Sequence, residues 1–199
     1  IMDIAETVYI LSTTDGGKNW QVVYENKEKG MFLDAMDFYD QKNGIVVGDP
    51  IDGKFFIAKT ADAGKTWNEW PALHRPVADS GEACFASSGT NVRMTGKNKF
   101  VLVSGGLTSS FFPDWHKKLR LPLLQGKEST GANSVAVYRK KIIVVGGDFN
   151  TKDASSGNLC FSNNRGKNFN MSKLPATGYR SCVEHLYKST WITCGLNEV

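Results

Sequence analysis

Short apolar runs that end in glycine or turn residues dominate the hydrophobic pattern of this chain. The runs are rich in β-branched and aromatic residues, which favour strands over helices. No apolar periodicity predicts an amphipathic helix longer than about two turns. The clearest runs read FFIAKT (55–60), KFVLVSG (99–105), KIIVVGG (141–147) and STWITCG (189–195). The pattern therefore predicts an all-β chain.

The same order of strands recurs with a period close to 50 residues. A first strand begins near Met31, Glu82, Ala132 and Arg180, at steps of 51, 50 and 48 residues. A second strand follows each of these and ends in small residues, as in VGG (145–147). A third and a fourth strand complete the pattern. Four short antiparallel strands at this period are typical of a β-propeller blade.

A short polar motif stands between the third and the fourth strands. It reads TTDGGKNW at 13–20, TADAGKTW at 60–67 and, in a degenerate copy, SNNRGKNF at 162–169. Its glycine permits backbone angles that other residues resist, and its Asp or Asn oxygen can accept hydrogen bonds from the turn's own amides. Its final aromatic residue is expected to be buried between blades. We interpret the motif as structural rather than as a ligand contact, and assign it Thr13, Asp15, Gly17, Trp20, Thr60, Asp62, Gly64, Trp67, Ser162, Asn164, Gly166 and Phe169.

The repeats predict one domain of residues 1–199. It comprises a half-blade at about 5–25, blades at about 31–71, 82–125 and 132–174, and a second half-blade at about 180–199. The blade at 82–125 lacks the polar motif, and FFPDWHKKLR (111–120) takes its place. The pattern favours an incomplete propeller segment of about four blades, with further blades in a longer chain. Two alternatives remain open: the half-blades pair into a closed four-bladed ring, or the chain is a β-sandwich with accidentally similar turns.

The three motifs resemble the Asp-box, or BNR, repeat of sialidases, sortilin-type receptors and related propellers. The stretches GMFLDAMDF, GIVVGDPIDGKFFIAKT, SGEACFASSGTN, GKESTGANSVAVY and GYRSCVEHL are similar to a bacterial group related to the photosystem II stability/assembly factor. Members of that group are often labelled glycosyl hydrolase or oxidoreductase. The resemblance covers essentially the whole chain and implies a β-propeller. It implies no single function, because a fold of this kind carries many.

Composition and charge narrow the classes of function. The net charge of +4 comes from scattered Lys and Arg, whereas nucleic-acid binders concentrate positive charge on one face. No apolar run reaches the roughly 18 residues of a membrane span. The four cysteines and three histidines show no metal-ligand spacing, and no phosphate or dinucleotide motif is present, so no metal and no cofactor are predicted. The chain begins at Ile1 without a signal-peptide pattern, which is absent or already removed, and we expect an extracytoplasmic location.

Polar clusters mark the loops at the end of the propeller opposite the polar motifs. These loops join the second strand to the third, and the fourth to the next first strand, on the usual ligand face of a propeller. Their ionisable residues either form a binding pocket or solvate a wet axial channel. The ligand-face candidates are Asp49, Asp79, Glu82, Glu128, Asn133, Asp148, Arg180 and Glu184.

The sequence favours a non-catalytic binding module for a protein or a glycan. The alternative is an Asp-box glycoside hydrolase, sialidase-like or other, that uses two facing channel carboxylates. A sialidase also needs an arginine cluster to hold the carboxylate of its substrate. Only Arg75 and Arg180 map to the ligand face, and the arginine-bearing motif of sialidases is absent.

Two cysteines lie almost symmetrically about the turn of the predicted hairpin 180–195. Cys182 and Cys194 could therefore face each other across its strands. Cross-strand Cβ atoms are about 4.5–5.5 Å apart, whereas a disulfide needs about 3.5–4.5 Å. We expect free, buried thiols.

Overall fold

Antiparallel strands make up nearly all the regular structure of this chain. The structure is a computed structural model that describes residues 7–174 and 176–197. Within these residues, the one helical element is the short 3₁₀ turn Ala72–His74. The strands are β1 (Val8–Ser12), β2 (Gln21–Asn26), β3 (Leu33–Phe38), β4 (Gly44–Ile51), β5 (Lys54–Thr60), β6 (Asn68–Glu69), β7 (Glu82–Ala83), β8 (Val92–Gly96), β9 (Lys99–Gly106), β10 (Ser110–Asp114), β11 (Lys117–Arg120), β12 (Thr130–Tyr138), β13 (Lys141–Asp148), β14 (Leu159–Ser162), β15 (Asn170–Met171), β16 (Arg180–Tyr187) and β17 (Thr190–Gly195).

The strands form a partial β-propeller, which confirms the predicted fold class. Blade 1 pairs in the order β3-β4-β5-β6. Blade 2 contains β7 and β8, which both pair with β9, followed by β10 and β11; blade 3 is β12-β13-β14-β15. Two-stranded sheets, β1-β2 and β16-β17, lie before and after these blades in the chain. A single pairing of Gly131 with Gly105 joins blades 2 and 3 into one continuous sheet.

Apolar clusters between neighbouring blades form the core. The residues of β4 alternate between two of them: Ile45 and Val47 face blade 2, where they meet Leu102, whereas Val46 faces the β1-β2 hairpin, where it meets Ile10. This alternation follows from the two-residue period of a strand, and it means that each sheet is apolar on both faces. Further clusters join blade 2 to blade 3 and blade 3 to β16. The blades are therefore stabilised by stacking on one another.

A glycine at the end of each second strand, which we call the exit glycine, lets two backbones come together. A Cβ atom built at Gly146 would lie 1.8 Å from the carbonyl oxygen of Gly131, at the start of the first strand. At this distance any side chain is excluded. The same carbonyl approach, at 2.0, 2.2 and 2.0 Å, occurs at Gly48, Gly106 and Gly195.

We predict that Gly146→Ala destabilises the fold through this contact. The new methyl group would meet backbone, which cannot yield as a flexible side chain can, so we expect a loss of about 1–3 kcal/mol in the free energy of unfolding. Gly96→Ala is the matched control, because a Cβ there would lie 3.6 Å from the side chain of Lys99, an ordinary contact. Urea denaturation of both variants gives the comparison. Equal stabilities would contradict the close approach.

The polar motif closes each turn through its own hydrogen bonds. Thr60 Oγ1 donates to Asp62 Oδ1 at 2.8 Å and accepts from the Gly64 N–H at 2.9 Å. Asp62 also accepts from the hydroxyl and the N–H of Thr66, at 2.7 and 3.0 Å. The bond from the Thr66 hydroxyl, followed by that from its N–H, lowers the pKa of Asp62 to about 2. The other two turns repeat the Thr/Ser bonds with Thr13, Asp15 and Gly17, and with Ser162, Asn164 and Gly166.

The aromatic residue of the motif is buried only where a preceding blade covers it. Trp67 is 8% exposed, in the cluster shared with the β1-β2 hairpin, and Phe169 packs on Phe111 of the preceding blade 2 with ring centroids 4.8 Å apart. Trp20 is 58% exposed. The expectation that Trp20 is buried between blades is therefore wrong for this structure, because no described element precedes its hairpin.

We predict that carbon-13 NMR titration of the Asp62 carboxyl gives a pKa near 2, which rises toward 3.8 in Thr66→Val. Asp15, in a separate turn, is the internal control and should not change. Because the folded pKa lies below the ordinary value, the turn's contribution to stability is present above about pH 4 and is lost as the pH falls through 2. An unaltered Asp62 titration in the variant would show that Thr66 does not stabilise the carboxylate.

The cysteines are free, as predicted, although two of them are only half-buried. Cys182 and Cys194 are register partners in the β16-β17 hairpin, and both thiols are partly exposed. The expectation that this pair is buried is thus wrong, because the edge of β17 away from β16 has no partner among the described residues.

Candidate functional site

An eight-residue segment of blade 2 lies among the first strands of the other blades. The sequence predicts one continuous first strand from Glu82, but β7 ends at Ala83 and β8 begins at Val92. The intervening residues 84–91, here called the axial segment, read CFASSGTN. Its glycine, Gly89, lies close to the carbonyl oxygen of Asp34 in blade 1. Because the segment leaves the sheet, its polar groups are available to the other blades.

Asn133 links the axial segment to blade 3 and to the β16-β17 hairpin. Its side-chain oxygen accepts from the Tyr179 hydroxyl at 2.7 Å and from Ser87 Oγ at 3.1 Å. Its side-chain nitrogen donates to the Ser181 carbonyl at 2.7 Å. The residue is fully buried. Asn133, a predicted ligand-face residue, is therefore engaged within the protein.

Thr90 extends this network along the axial segment. Its hydroxyl bonds to Ser134 Oγ at 2.6 Å, and its carbonyl accepts from the Val135 N–H at 3.1 Å. Ser134 Oγ in turn accepts from the Val183 N–H at 3.0 Å. These bonds hold the axial segment against blade 3 and β16, although the side chain of Asn91, also buried, has no hydrogen-bond partner among the described residues.

Bulges take equivalent residues of three first strands out of their ladders, and one of the three, Asn133, bonds to the axial segment through its side chain. The ladder skips Asp34 in blade 1, Asn133 in blade 3 and Ser181 in β16, in each case two residues after the carbonyl that meets the exit glycine. A bulge re-aims a side chain that would otherwise alternate across the sheet. Asp34 was not among the predicted site residues, and its equivalence to Asn133 is seen only in the strand ladders, because the first hairpins of blades 1 and 3 differ in turn length.

Asp34 is a buried carboxyl group that is neutral at pH 7. Both its oxygens are buried and make no hydrogen bond of ordinary geometry. Burial, and then the neighbouring charge of Asp49, raise the pKa of Asp34 to about 8, which the Asp49 N–H offsets only in part. Burial also raises the pKa of Asp49, whose Oδ1 accepts from the Cys84 N–H at 3.0 Å. Asp34 is thus enclosed by the protein, whereas Asp49 is partly exposed.

Glu82 and Asp79 share one lysine. Lys118 Nζ lies 2.6 Å from Glu82 Oε2 and 2.8 Å from Asp79 Oδ2. Glu82 is buried and also accepts from the Asp79 N–H and from Ser104 Oγ. Lys118 and these hydrogen bonds satisfy the Glu82 carboxylate within the protein.

The other predicted residues do not gather in one place. Asp148 lies 3.8 Å from Lys127, whereas Glu128 is exposed. Arg180 is buried, and its guanidinium donates to Thr177 Oγ1. The expected convergence of all eight candidates is therefore not seen.

Glu184 lies further along β16, with a different set of charges. Its carboxylate bonds to Arg93, whose guanidinium also lies 3.8 Å from Asp37. Asp37, Arg93, Arg139 and Glu184 line a polar cavity of about 470 Å³ together with Met94, Thr95 and Val137. This cavity is bounded by the first strands β3, β8 and β12 together with β16, near the ends where they turn back.

An apolar groove with a volume of about 820 Å³ lies beside β1. One wall is the strand β1 and the other is the β3-β4 sheet of blade 1. All the lining residues except Asp34 and Gly89 are apolar or aromatic: Tyr9, Ile10, Leu11, Trp20, Leu33, Asp34, Ala35, Met36, Val46 and Gly89. The sequence did not predict this groove, because its walls come from two sheets.

Two further classes of site were searched for in the structure. Among residues 7–174 and 176–197, no group of three or more His, Cys, Asp or Glu side chains is arranged to hold a metal ion. No helix in the same ranges has the length and apolar character that crossing a bilayer requires.

We predict that Asp34→Asn removes a loss of folding stability that the wild type shows as the pH rises. The unfolded chain releases this proton near pH 4 and the folded chain near pH 8, so the wild type loses stability as the pH rises from about 4 to 8. The variant has no such charge to bury. We expect it to exceed the wild type by about 1–3 kcal/mol at pH 8, and to match it near pH 4.

Chemical denaturation across this pH range checks the Asp34 prediction. The control is Asp52→Asn, at an exposed turn residue whose positive φ of 50° asparagine also accepts. Its pH profile should follow the wild type. A wild-type stability that rises steadily from pH 4 to 8, or an Asp34→Asn profile parallel to it, would contradict the neutral buried carboxyl.

Comparison with known proteins gives a remote likeness in fold. No protein-family model and no curated protein matches the chain. One similar solved structure is YCF48 bound to D1 peptide, with 18% identity and a TM-score of 0.43, covering 75% of this chain and 42% of that one. Another is YCF48 from Cyanidioschyzon merolae, with 20% identity and a TM-score of 0.41, covering 71% and 37%. The chain thus spans less than half the length of either structure.

Proposed function

We propose that this chain is a protein-binding module that takes an extended polypeptide segment into the apolar groove as a strand added to β1. The observation that carries the proposal is an open strand edge along the apolar groove. On the side away from β2, β1 pairs with no strand among the described residues. A strand added there would satisfy the backbone groups of β1 and cover the groove at the same time.

The backbone groups of Tyr9 and Leu11 face the open edge. In blade 1 the carbonyl of Ile57 accepts from the Trp70 N–H at 2.8 Å, so the backbone of Ile57 faces the fourth strand. Ile57 stands three residues before Thr60, as Ile10 stands three before Thr13. Because successive residues direct their backbone groups to opposite edges of a strand, those of Tyr9 and Leu11 point away from β2.

Exposed apolar side chains border the same edge. Tyr9, Leu11 and Trp20 are 50%, 47% and 58% exposed. Completely burying a side chain of this kind contributes about 1.5–3 kcal/mol. A bound segment with alternating apolar residues would cover them, which favours a polypeptide over a hydrophilic glycan. The sequence VYILS of β1 contains no charge and no proline, the usual devices that prevent strand addition.

The buried acids Glu82 and Asp34 do not support the hydrolase alternative. A glycosidase needs two accessible carboxylates that flank a bond. Glu82 is buried against Lys118, and both oxygens of Asp34 are enclosed. Arg75 and Arg180, the two arginines expected on the ligand face, are held by Glu69 and Thr177. The groove therefore supports binding better than catalysis.

The proposal is tested with the labelled peptide Lys-Val-Thr-Val-Thr-Val-Lys in a fluorescence anisotropy titration. We expect saturable binding to the wild type that weakens at least tenfold in Tyr9→Pro, which removes an edge N–H. Tyr9→Ala is the matched variant, since it loses the same side chain but keeps the N–H, and it should bind more tightly than Tyr9→Pro.

The ligand supplies a second control. A peptide of the same sequence with N-methyl groups on alternate residues keeps the side chains but cannot pair with an edge. It should not bind. Equal binding of the methylated peptide, or no binding of the unmethylated one, would overturn strand addition at β1.

A further inference from the structure

We infer that the β16-β17 hairpin of a second copy of this chain binds in the groove, with β17 paired to β1. The inference rests on the proposed function, since it names the partner of the same edge. Each copy carries both hairpins of the interface. The β1-β2 hairpin packs on blade 1, and the β16-β17 hairpin packs on blade 3.

The two hairpins are complementary halves of one blade. The β1-β2 hairpin contains the polar motif between its strands, so its strands correspond to the third and fourth of a blade. The β16-β17 hairpin has the bulge and the exit glycine, Gly195, of a first and second strand. Among the described residues each hairpin is a sheet of only two strands. Joined through β17 and β1, they would have the strand order of blade 1.

The complete blades specify the register of this pairing. In blade 1 the exit glycine Gly48 pairs with Phe56, four residues before the motif's Thr60. In blade 3 the exit glycine Gly146 donates to the carbonyl of Asn158, four residues before Ser162. The same offset from Thr13 places Gly195 opposite Tyr9.

Cys194 then lies opposite Ile10. The equivalent residues are Val47 and Ile57 in blade 1, and these two share one apolar cluster toward the next blade. Ile10 already belongs to the cluster toward blade 1 of its own chain. The half-buried Cys194 would join that cluster, so the predicted register places apolar groups together.

A second copy meets these requirements more readily than the same chain does. Ile10 anchors the β1-β2 hairpin on blade 1, whereas Val183 anchors β16 on blade 3. Blades 1, 2 and 3 therefore stand between the two hairpins of one chain. Joining two copies leaves the stack of blades in each as it is.

The experiment uses the native Cys194 as one half of a disulfide. Ile10→Cys is made with Cys182→Ser, which removes the thiol beside Cys194. By equivalence with the Gly146–Asn158 pair, which is hydrogen-bonded, the next pair is of the closer, non-hydrogen-bonded kind, and this kind suits a disulfide. After mild oxidation with diamide, we expect covalent dimers on a non-reducing gel and a peptide that links position 10 to Cys194 in mass spectrometry.

Tyr9→Cys in the same background is the matched control. Position 9 is more exposed than position 10 but faces the other side of the strand, so it should form several-fold less dimer. In the wild type, sedimentation velocity should show a dimer that increases with concentration and is lost in Tyr9→Pro. This second measurement does not require a substitution at the buried Ile10.

The possible outcomes test separately whether a second copy is the partner and whether the edge of β1 is the binding site. A disulfide within one chain, independent of concentration, would overturn the second copy as the partner. A monomer at all concentrations with no disulfide, but with the Lys-Val-Thr peptide still bound, would overturn this inference and leave the proposed function standing. Loss of both dimer and peptide binding would overturn both.

Discussion

The close approach of two backbones at the exit glycine is the constraint on which the rest of this structure depends. Where the carbonyl of Gly131 fills the place of a side chain at Gly146, the ladder skips Asn133 two residues later, and the side chain of Asn133 bonds to the axial segment. The ladder skips the equivalent residues Asp34 in blade 1 and Ser181 in β16 as well. In blade 2, where the carbonyl of Gly81 meets Gly106, Glu82 and Ala83 stay paired and the chain leaves the ladder after them. The close approach at the exit glycine is thus followed in every first strand by an interruption of its ladder.

The axial segment uses its polar groups for hydrogen bonds within the protein, although such groups could be taken for a binding site. Residues 84–91 belong to no strand, and there Ser87 and Thr90 bond to blade 3 and Tyr179. Buried polar groups are costly unless they are satisfied, so these bonds offset part of that cost, whereas the buried side chain of Asn91 has no partner in the described part of the chain. The ionisable residues nearby follow the same logic, since Glu82 is paired with Lys118 and Asp34 is neutral.

Much of the fold could be predicted from short-range patterns, and most of the site could not. Runs such as KIIVVGG contain β-branched residues at both faces of a strand, and Lys141–Asp148 is a strand as predicted. The axial segment was missed because only its serine and glycine content, a weak turn signal, distinguishes it from a strand. Asp34 was missed because it stands within the apolar stretch MFLDAM. The exposure of Trp20 depends on which blade precedes it, and no local motif contains that information.

The edges of the sheets explain why β1 and β17 differ from the other strands. The outer strands β6 and β15 are two residues long, and β11 carries Lys117, Lys118 and Arg120, so each resists unwanted pairing. Neither β1 nor β17 has a charge or a proline. In the described residues each of these two strands also belongs to a sheet of only two strands. Pairing β17 of one copy with β1 of another would cover the two edges that have none of these protective features.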